Sequence, residues 1–296
     1  MRILLLSKIF FTGAIVLALE LVASSIMNPF FGVSLNVWAS ILSVTLIGLA
    51  LGYKFGGFLS NYLAPERLTI YYIASGAISA SWLIFTAHSF PFIILELTEQ
   101  GLVLGSFLTC LYILFIPLVI YSSLNTVLVG LFTVSKTENH KNDHMSGTVF
   151  FVSTIGSVLG VFFAAYWLLD TLANVASYAF LASISAGLSL ILASSISEFK
   201  NKPRIAIIGF SLLMILLGFN LTFLQGKPGK TYSSKGGKEN WTIVSNRPSF
   251  YGNHSVVDFQ NDKGIKWRGL LTNGLVNNRV YENGDSASTF TYILEA

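Results

Sequence analysis

The chain has 296 residues, 53% of them hydrophobic and 11% charged, with a net charge of +4 and a single cysteine. A water-facing globular domain carries about 25% charged residues, so this composition excludes a soluble protein, and the lone Cys110 excludes an intrachain disulfide. The positive charge lies in short segments between apolar runs, which is a topological signal and excludes a nucleic-acid-binding face.

Apolar runs fall at about 3–26, 36–60, 69–88, 102–132, 149–169, 172–196 and 204–224. Each reaches the ~20 residues needed to cross a hydrocarbon layer as a helix. Backbone groups in lipid must be satisfied internally, and single continuous runs of this length exclude a barrel. The expected fold is therefore an all-α polytopic membrane protein with about seven transmembrane helices over 1–224. A Gly-, Ser- and Lys-rich linker over 225–240 and a small C-terminal β-meander over 241–296 follow.

The first run is too long for the apolar part of a secretory signal and holds Lys8 and Glu20, so it reads as a retained span. Glu20 sits six residues before the end of that run, roughly 9 Å below the outer boundary at 1.5 Å per residue. A carboxylate at that depth is expected to face the bundle. Ser40 and Ser43 on the second span and Tyr166 on the fifth stand at the same level. Glu20 and Tyr166 form the expected intramembrane polar site, either a hydrogen-bonding hub or a place for a proton or cation.

In the second run Gly48, Gly52 and Gly56 recur every four residues, and in the fifth Gly156, Gly160 and Ala164 do the same. Each set falls on one helix face and admits a close neighbouring backbone. Both read as packing seams, with a substrate groove as the alternative. The fourth run is longer than one crossing requires. Pro117 is expected to break or kink it, so that 121–132 bends along the inner surface or lines the bundle. In the loop that follows, His140 and His144 flank Asp143 with no further ligand, so no metal site is expected. No GxSxG, HExxH or P-loop pattern occurs, and no cofactor is implied.

With the N-terminus inside, Lys and Arg fall in the inner segments (Arg2 and Lys8; Lys54 and Arg67; Lys136 and Lys141; Lys200, Lys202 and Arg204). The outer loops 27–35, 89–101 and 170–171 hold none. That asymmetry places the N-terminus in the cytoplasm of an inner-membrane protein and the tail outside. After the linker the period changes. Trp241–Ser245, His254–Gln260 and Ile265–Leu271 read as strands, with turn chemistry at 261–264 and at Asn273-Gly274.

The stretch ALELVASSIMNPFFGVSLNVWASILSVTLIGLALGYKFGGFLSN resembles the opening of integral-membrane spermidine-synthase-like proteins, in which a transporter-like bundle is fused to a polyamine aminopropyltransferase. Glu20–Ala23, Pro29–Gly32, Trp38 and Leu51–Tyr53 carry the likeness, and VSTIGSVLGVFFAAYWLLD is similar to the same family. In the tail, Ser249–Gly252 followed by His254–Phe259 resembles the first hairpin of the aminopropyltransferases. Leu271–Asn277 resembles their strand-end motif, with Asn277 where a Gln is expected.

The resemblance implies aminopropyl transfer from decarboxylated S-adenosylmethionine to a diamine, with Tyr251, Gly252, Asn273, Gly274 and Asn277 lining one edge of the substrate pocket. It also implies that the donor cradle and the acidic base lie in a Rossmann-like domain, expected to begin about where this sequence stops. The chain is thus expected to be the membrane module of such a protein. It would have no catalytic residues of its own, a lipid bilayer around it, and a separate Rossmann-like domain or a second copy as partner. The alternatives are a carrier for an amine or cationic solute built around Glu20, and a scaffold for a separate soluble enzyme.

Overall fold

The computed structural model describes residues 2–32, 34–134, 140–172, 174–195, 201–224, 231–233, 239–249, 252–261, 263–272, 275–281 and 286–288. Seven helical stretches among them are long and apolar enough to cross a membrane. They comprise α1 (Arg2–Phe31), α2 (Leu35–Tyr62), α3 (Pro65–Thr98), α4 (Leu102–Val134) and α5 (His140–Phe163). A π-helical turn (Ala164–Leu168) carries α5 into a short α6 (Leu169–Thr171), and α7 (Asn174–Ser195) and α8 (Asn201–Leu224) complete the bundle. The architecture is the expected all-α polytopic bundle with a small C-terminal antiparallel sheet.

Several helices outrun their apolar stretches. The loop expected over 89–101 is mostly helix, since α3 runs to Thr98 and a tight turn with Gly101 at φ 84° leads into α4. A helix satisfies its own backbone groups, which favours continuing it where the chain leaves lipid. At the other end of the bundle Pro65 opens α3 at a position where a missing N–H costs nothing. Ser34 caps α2, accepting from the Val37 amide at 3.4 Å.

Helix α4 lacks the expected break at Pro117, and its second half meets the expectation that it lines the bundle. It continues unbroken through Pro117 for 33 residues, and Tyr121, Leu124, Val127 and Leu128 are buried in the bundle rather than laid along a surface. Proline removes the amide that would bond the carbonyl four residues back, here Ile113. That carbonyl accepts the Tyr178 hydroxyl of α7 instead. A neighbouring helix supplies the missing donor, which is how membrane helices tolerate proline.

Lipid tails are as apolar as leucine, so these helices associate through close packing and hydrogen bonds. Helices α2 and α4 run parallel with their seam at Gly48, Gly52 and Gly56. A Cβ at Gly52 would lie 1.7 Å from Ser122 Oγ and 2.5 Å from the Val119 carbonyl. At Gly56 it would meet the Ser123 carbonyl at 2.3 Å. On α5, a Cβ at Gly156 or Gly160 would strike the α1 carbonyls of Phe10 and Ala14 at 2.0 and 2.2 Å. Helices α1, α3, α4 and α7 hold most of the buried core, with Tyr72, Tyr121 and Tyr178 among its largest fully buried side chains. The α5 and α8 spans are the least buried.

The tail is a six-stranded antiparallel meander in sequence order: β1 (Thr231–Ser233), β2 (Glu239–Ser249), β3 (Gly252–Asn261), β4 (Lys266–Thr272), β5 (Leu275–Tyr281) and β6 (Ser286–Ser288). The sheet begins earlier than expected, because β1 lies inside the segment read as linker and pairs with Asn240–Thr242. Two strands, β5 and β6, follow the three read from sequence. Period-two alternation buries Trp267, Gly269 and Leu271 on one face of β4, with Val257 and Phe259 beside them on β3. Phe259 stacks on Trp267 at 4.8 Å and Trp241 meets both rings edge-on at 4.6 and 5.4 Å. The opposite face carries a bidentate Asp258–Arg268 pair at 2.6 and 2.8 Å. Strand β2 passes against α6, which puts the sheet at the end of the bundle opposite Arg2.

Candidate functional site

Three polar places stand out among the described residues. Lys8, expected as an inner-flank charge, is instead 1% exposed inside the bundle. Its ammonium donates to the Tyr72 carbonyl, to the Ile73 carbonyl at 3.1 Å and to Ser75 Oγ at 2.9 Å, so all three protons are used on α3. The helix interfaces around it are also polar. Tyr121 of α4 donates to Ser185 Oγ of α7 at 2.7 Å, which donates to the Gly76 carbonyl at 2.9 Å, and the Ala77 amide reaches Ser189 Oγ at 3.1 Å. Gly76 has to be glycine, since a Cβ there would lie 2.4 Å from the Ser185 carbonyl.

Glu20 lies deeper than its run suggested. The apolar stretch of α1 extends to Asn28, eight residues on, or about 12 Å along the axis. Its expected neighbours are elsewhere. Ser40 bonds the Asn36 carbonyl and Ser106 Oγ at 2.9 and 3.0 Å, and Ser43 is exposed. Tyr166 is 72% exposed and stacks on Phe162 at 6.0 Å. It stands two residues off the buried stripe of Gly156, Gly160, Ala164 and Leu168, which turns it away from α1. Thr45 of α2 faces the Glu20 carboxyl in their place. Glu20 Oε1 and Thr45 Oγ1 are both buried without a hydrogen-bond partner.

A cavity of about 150 Å³ opens between α1, α2, α4 and α5, walled by Thr12, Gly13 and Leu17, by Tyr53, by Asn125 and by Ser157 among others. Gly13, Val16 and Leu17 of its wall share a helix face with Glu20, and Leu49 shares one with Thr45. The Glu20 carboxyl and the Thr45 hydroxyl therefore stand one turn beyond one end of the cavity. Lys8 stands one turn beyond Thr12 at the other end.

In the tail, Tyr251, Asn273 and Gly274 lie outside the described residues, and Gly252 opens β3 opposite Ser249. Asn277 is the extra residue of a bulge in β5, between the pairs Leu270–Asn278 and Leu271–Val276. The bulge re-aims its side chain, which donates to Thr272 Oγ1 at 2.6 Å, while His254 Nδ1 lies 3.1 Å from the same hydroxyl. Asp258 is held by Arg268, whose hydrogen bonds and charge keep its carboxyl below the usual carboxylate range. A carboxylate held in this way is a poor proton acceptor. No group of three or more metal-ligating side chains occurs among the described residues. The side chains of His140 and His144 lie outside them.

Comparison with protein-family models, with curated proteins and with solved structures finds no match. Sequence reasoning missed Lys8 and Asn125. The signal for Lys8 was its place inside an apolar run. For Asn125 it was an amide on the face of α4 that also carries Tyr121 and Ser122.

Proposed function

We propose that this chain is the membrane module of a spermidine-synthase-like protein. In this reading the bundle sits in the inner membrane with its N-terminus in the cytoplasm. The sheet forms the opening layer of an aminopropyltransferase-type fold, completed by a Rossmann-like domain or a second copy. The observation that carries the reading is the bulge at Asn277. It falls inside the segment that resembles the family's strand-end motif, and it gathers Asn277, Thr272 and His254 at one corner of the sheet beside Gly252. That corner offers hydrogen-bonding groups for one edge of an amine substrate. The carboxylate further along β3, Asp258, is tied to Arg268 and so is not free to act as a base.

The test is an aminopropyl-transfer assay on the full chain with putrescine and decarboxylated S-adenosylmethionine, alone and in membranes from cells that make it naturally. The purified chain is expected to show no turnover, and the membranes an activity that falls when residues 252–281 are deleted. Turnover by the chain alone, abolished in Asn277→Ala, would move the chemistry into the sheet. Membrane activity indifferent to the deletion would remove the polyamine reading.

A second reading, a carrier for an amine or cationic solute, is favoured by the unpartnered Glu20 carboxyl oxygen at the end of the polar cavity. Intramembrane ionisable groups mark solute or ion pathways more often than they serve packing. Uptake of labelled amine by proteoliposomes, compared between wild type and Glu20→Gln, tests it. Equal uptake by the two would sink it.

A further inference from the structure

The cavity between α1, α2, α4 and α5 has a chemical polarity that its hydroxyl-rich wall conceals. A hydroxyl has one proton to donate and two lone pairs to accept with. Five of the seven hydroxyls on this wall, all but Tyr53 and Ser153, have already spent that proton elsewhere. Thr12 donates to the Ile9 carbonyl at 3.1 Å, Ser122 to Leu118 at 2.7 Å, Thr154 to Phe150 at 2.8 Å and Ser157 to Gly13 at 3.0 Å. Tyr121 donates to Ser185 Oγ at 2.7 Å. What each still offers is lone pairs.

Asn125 adds an amide. It is 6% exposed and lines the cavity, so its amide is placed to bond whatever fills the space. Aromatic rings complete the wall, with Tyr53 and Phe150 edge-to-face at 5.8 Å and Tyr121 also lining it. A wall in which most hydroxyls are left as acceptors, with aromatic π-systems and a carboxylate one turn beyond the end, favours a compact cation rich in N–H donors. The nearby positive charge of Lys8 is turned toward the carbonyls of α3, away from this space.

We propose that this cavity is a binding site for a small primary alkylammonium ion. Its N–H donors meet the hydroxyl lone pairs and the Asn125 carbonyl oxygen, its alkyl part lies against Tyr53 and Phe150, and Glu20 balances its charge. A volume of about 150 Å³ exceeds a bare alkali ion and admits a short alkyl chain. The proposal rests on the carrier reading and names its solute class.

The experiment uses full-length protein in nanodiscs at constant ionic strength, with propylammonium chloride as the probe. Sodium chloride, potassium chloride and 1-propanol are the comparisons. Propylammonium is expected to raise the melting temperature and to titrate as a single saturable site, while the comparisons leave it unchanged. Asn125→Leu is expected to weaken binding at least tenfold. Thr154→Val, which removes one acceptor, serves if Asn125→Leu does not fold. Equal stabilisation by 1-propanol would make this a neutral polar pocket, and equal stabilisation by sodium or potassium an alkali-metal site; either overturns the proposal. So do full-affinity binding by both variants and a lack of any stabilisation. Proteoliposome flux is measured in parallel: saturable binding without flux keeps the site and removes the carrier.

Discussion

Lys8 and Tyr72 exchange hydrogen bonds between two helices. The Lys8 ammonium of α1 donates to the Tyr72 carbonyl of α3, and the Tyr72 hydroxyl donates back to the Leu5 carbonyl of α1 at 2.6 Å. The ammonium also sits 5.0 Å from the Tyr72 ring centre. One lysine and one tyrosine thus tie the two helices in both directions, with no carboxylate involved.

Lys8→Met keeps the volume and removes the buried charge, and well-packed apolar replacements of buried ions are often neutral or stabilising. It is expected to leave the melting temperature in detergent unchanged or higher. Tyr72→Phe, which loses only the bond to Leu5, is expected to cost about 0.5–1.5 kcal/mol. Lys8→Glu sets a carboxylate against carbonyl oxygens and is expected to abolish folded protein on size-exclusion chromatography. A Lys8→Glu protein as stable as wild type would show that the lysine is not held in this carbonyl cradle.

Gly52 and Gly57 lie five residues apart on α2 and make a matched pair. A Cβ at Gly52 would collide with Ser122 Oγ and the Val119 carbonyl, whereas at Gly57 nothing lies within 4 Å. Backbone at the Val119 carbonyl cannot swing aside as a side chain can. Gly52→Ala is expected to separate α2 from α4 and lower the yield of monodisperse protein severalfold, and Gly57→Ala to leave it unchanged. Equal tolerance of both would remove the seam.

Orientation is tested by cysteine labelling, because buried Cys110 leaves a silent background. Glu99→Cys lies at the turn before α4 and Lys202→Cys at the start of α8, both exposed and at opposite ends of the bundle. An impermeant maleimide applied to intact cells is expected to label position 99 and spare position 202. The reverse pattern would put the sheet in the cytoplasm.

Within the sheet, Trp267 joins Trp241 and Phe259 and lies over Gly269, where a Cβ would be 2.4 Å from its ring. Trp267→Ala should cost about 3–5 kcal/mol, more than so small a core can spare. Limited proteolysis should then digest the tail while the helical circular dichroism of the bundle persists. Asp258→Asn is the control. The Asp258–Arg268 pair is solvent-exposed, with 45% and 62% of the two side chains accessible, and such pairs contribute little. Because the folded carboxyl is depressed, its contribution is present above the unfolded pKa and fades as pH falls through the folded one. The sheet of Asp258→Asn should therefore match wild type in acid and differ slightly at neutral pH. A large destabilisation at neutral pH would give the pair a role in packing.

The helices and the meander were legible because apolar length and strand alternation are local. The close-approach faces were legible for the same reason, since Gly48, Gly52 and Gly56 repeat at the helix period. The polar sites were not, because they depend on how each helix is rotated against neighbours far away in sequence. Lys8 looked like a flanking charge until the facing carbonyls of α3 were seen. Tyr166 looked level with Glu20, yet it sits off the stripe that faces α1, and Thr45 takes its place. The extent of the sheet was hidden for a related reason. Strand β5 carries two adjacent asparagines, Asn277 and Asn278, that break the apolar alternation, and one of them forms the bulge.

The Ile113 carbonyl left free by Pro117 has its partner, Tyr178, 65 residues further along the chain. At roughly 5–20 residues per second of synthesis, several seconds pass between the emergence of the acceptor and that of its donor. Lys8 waits a similar interval for Tyr72, which follows 64 residues later. Both groups enter the bilayer before the helices that satisfy them exist. Assembly therefore has a built-in order: α1 becomes fully compatible with lipid only when α3 docks, and α4 only when α7 does. The first span must be held at the insertion site, or in contact with water, while the chain that completes it is still being made.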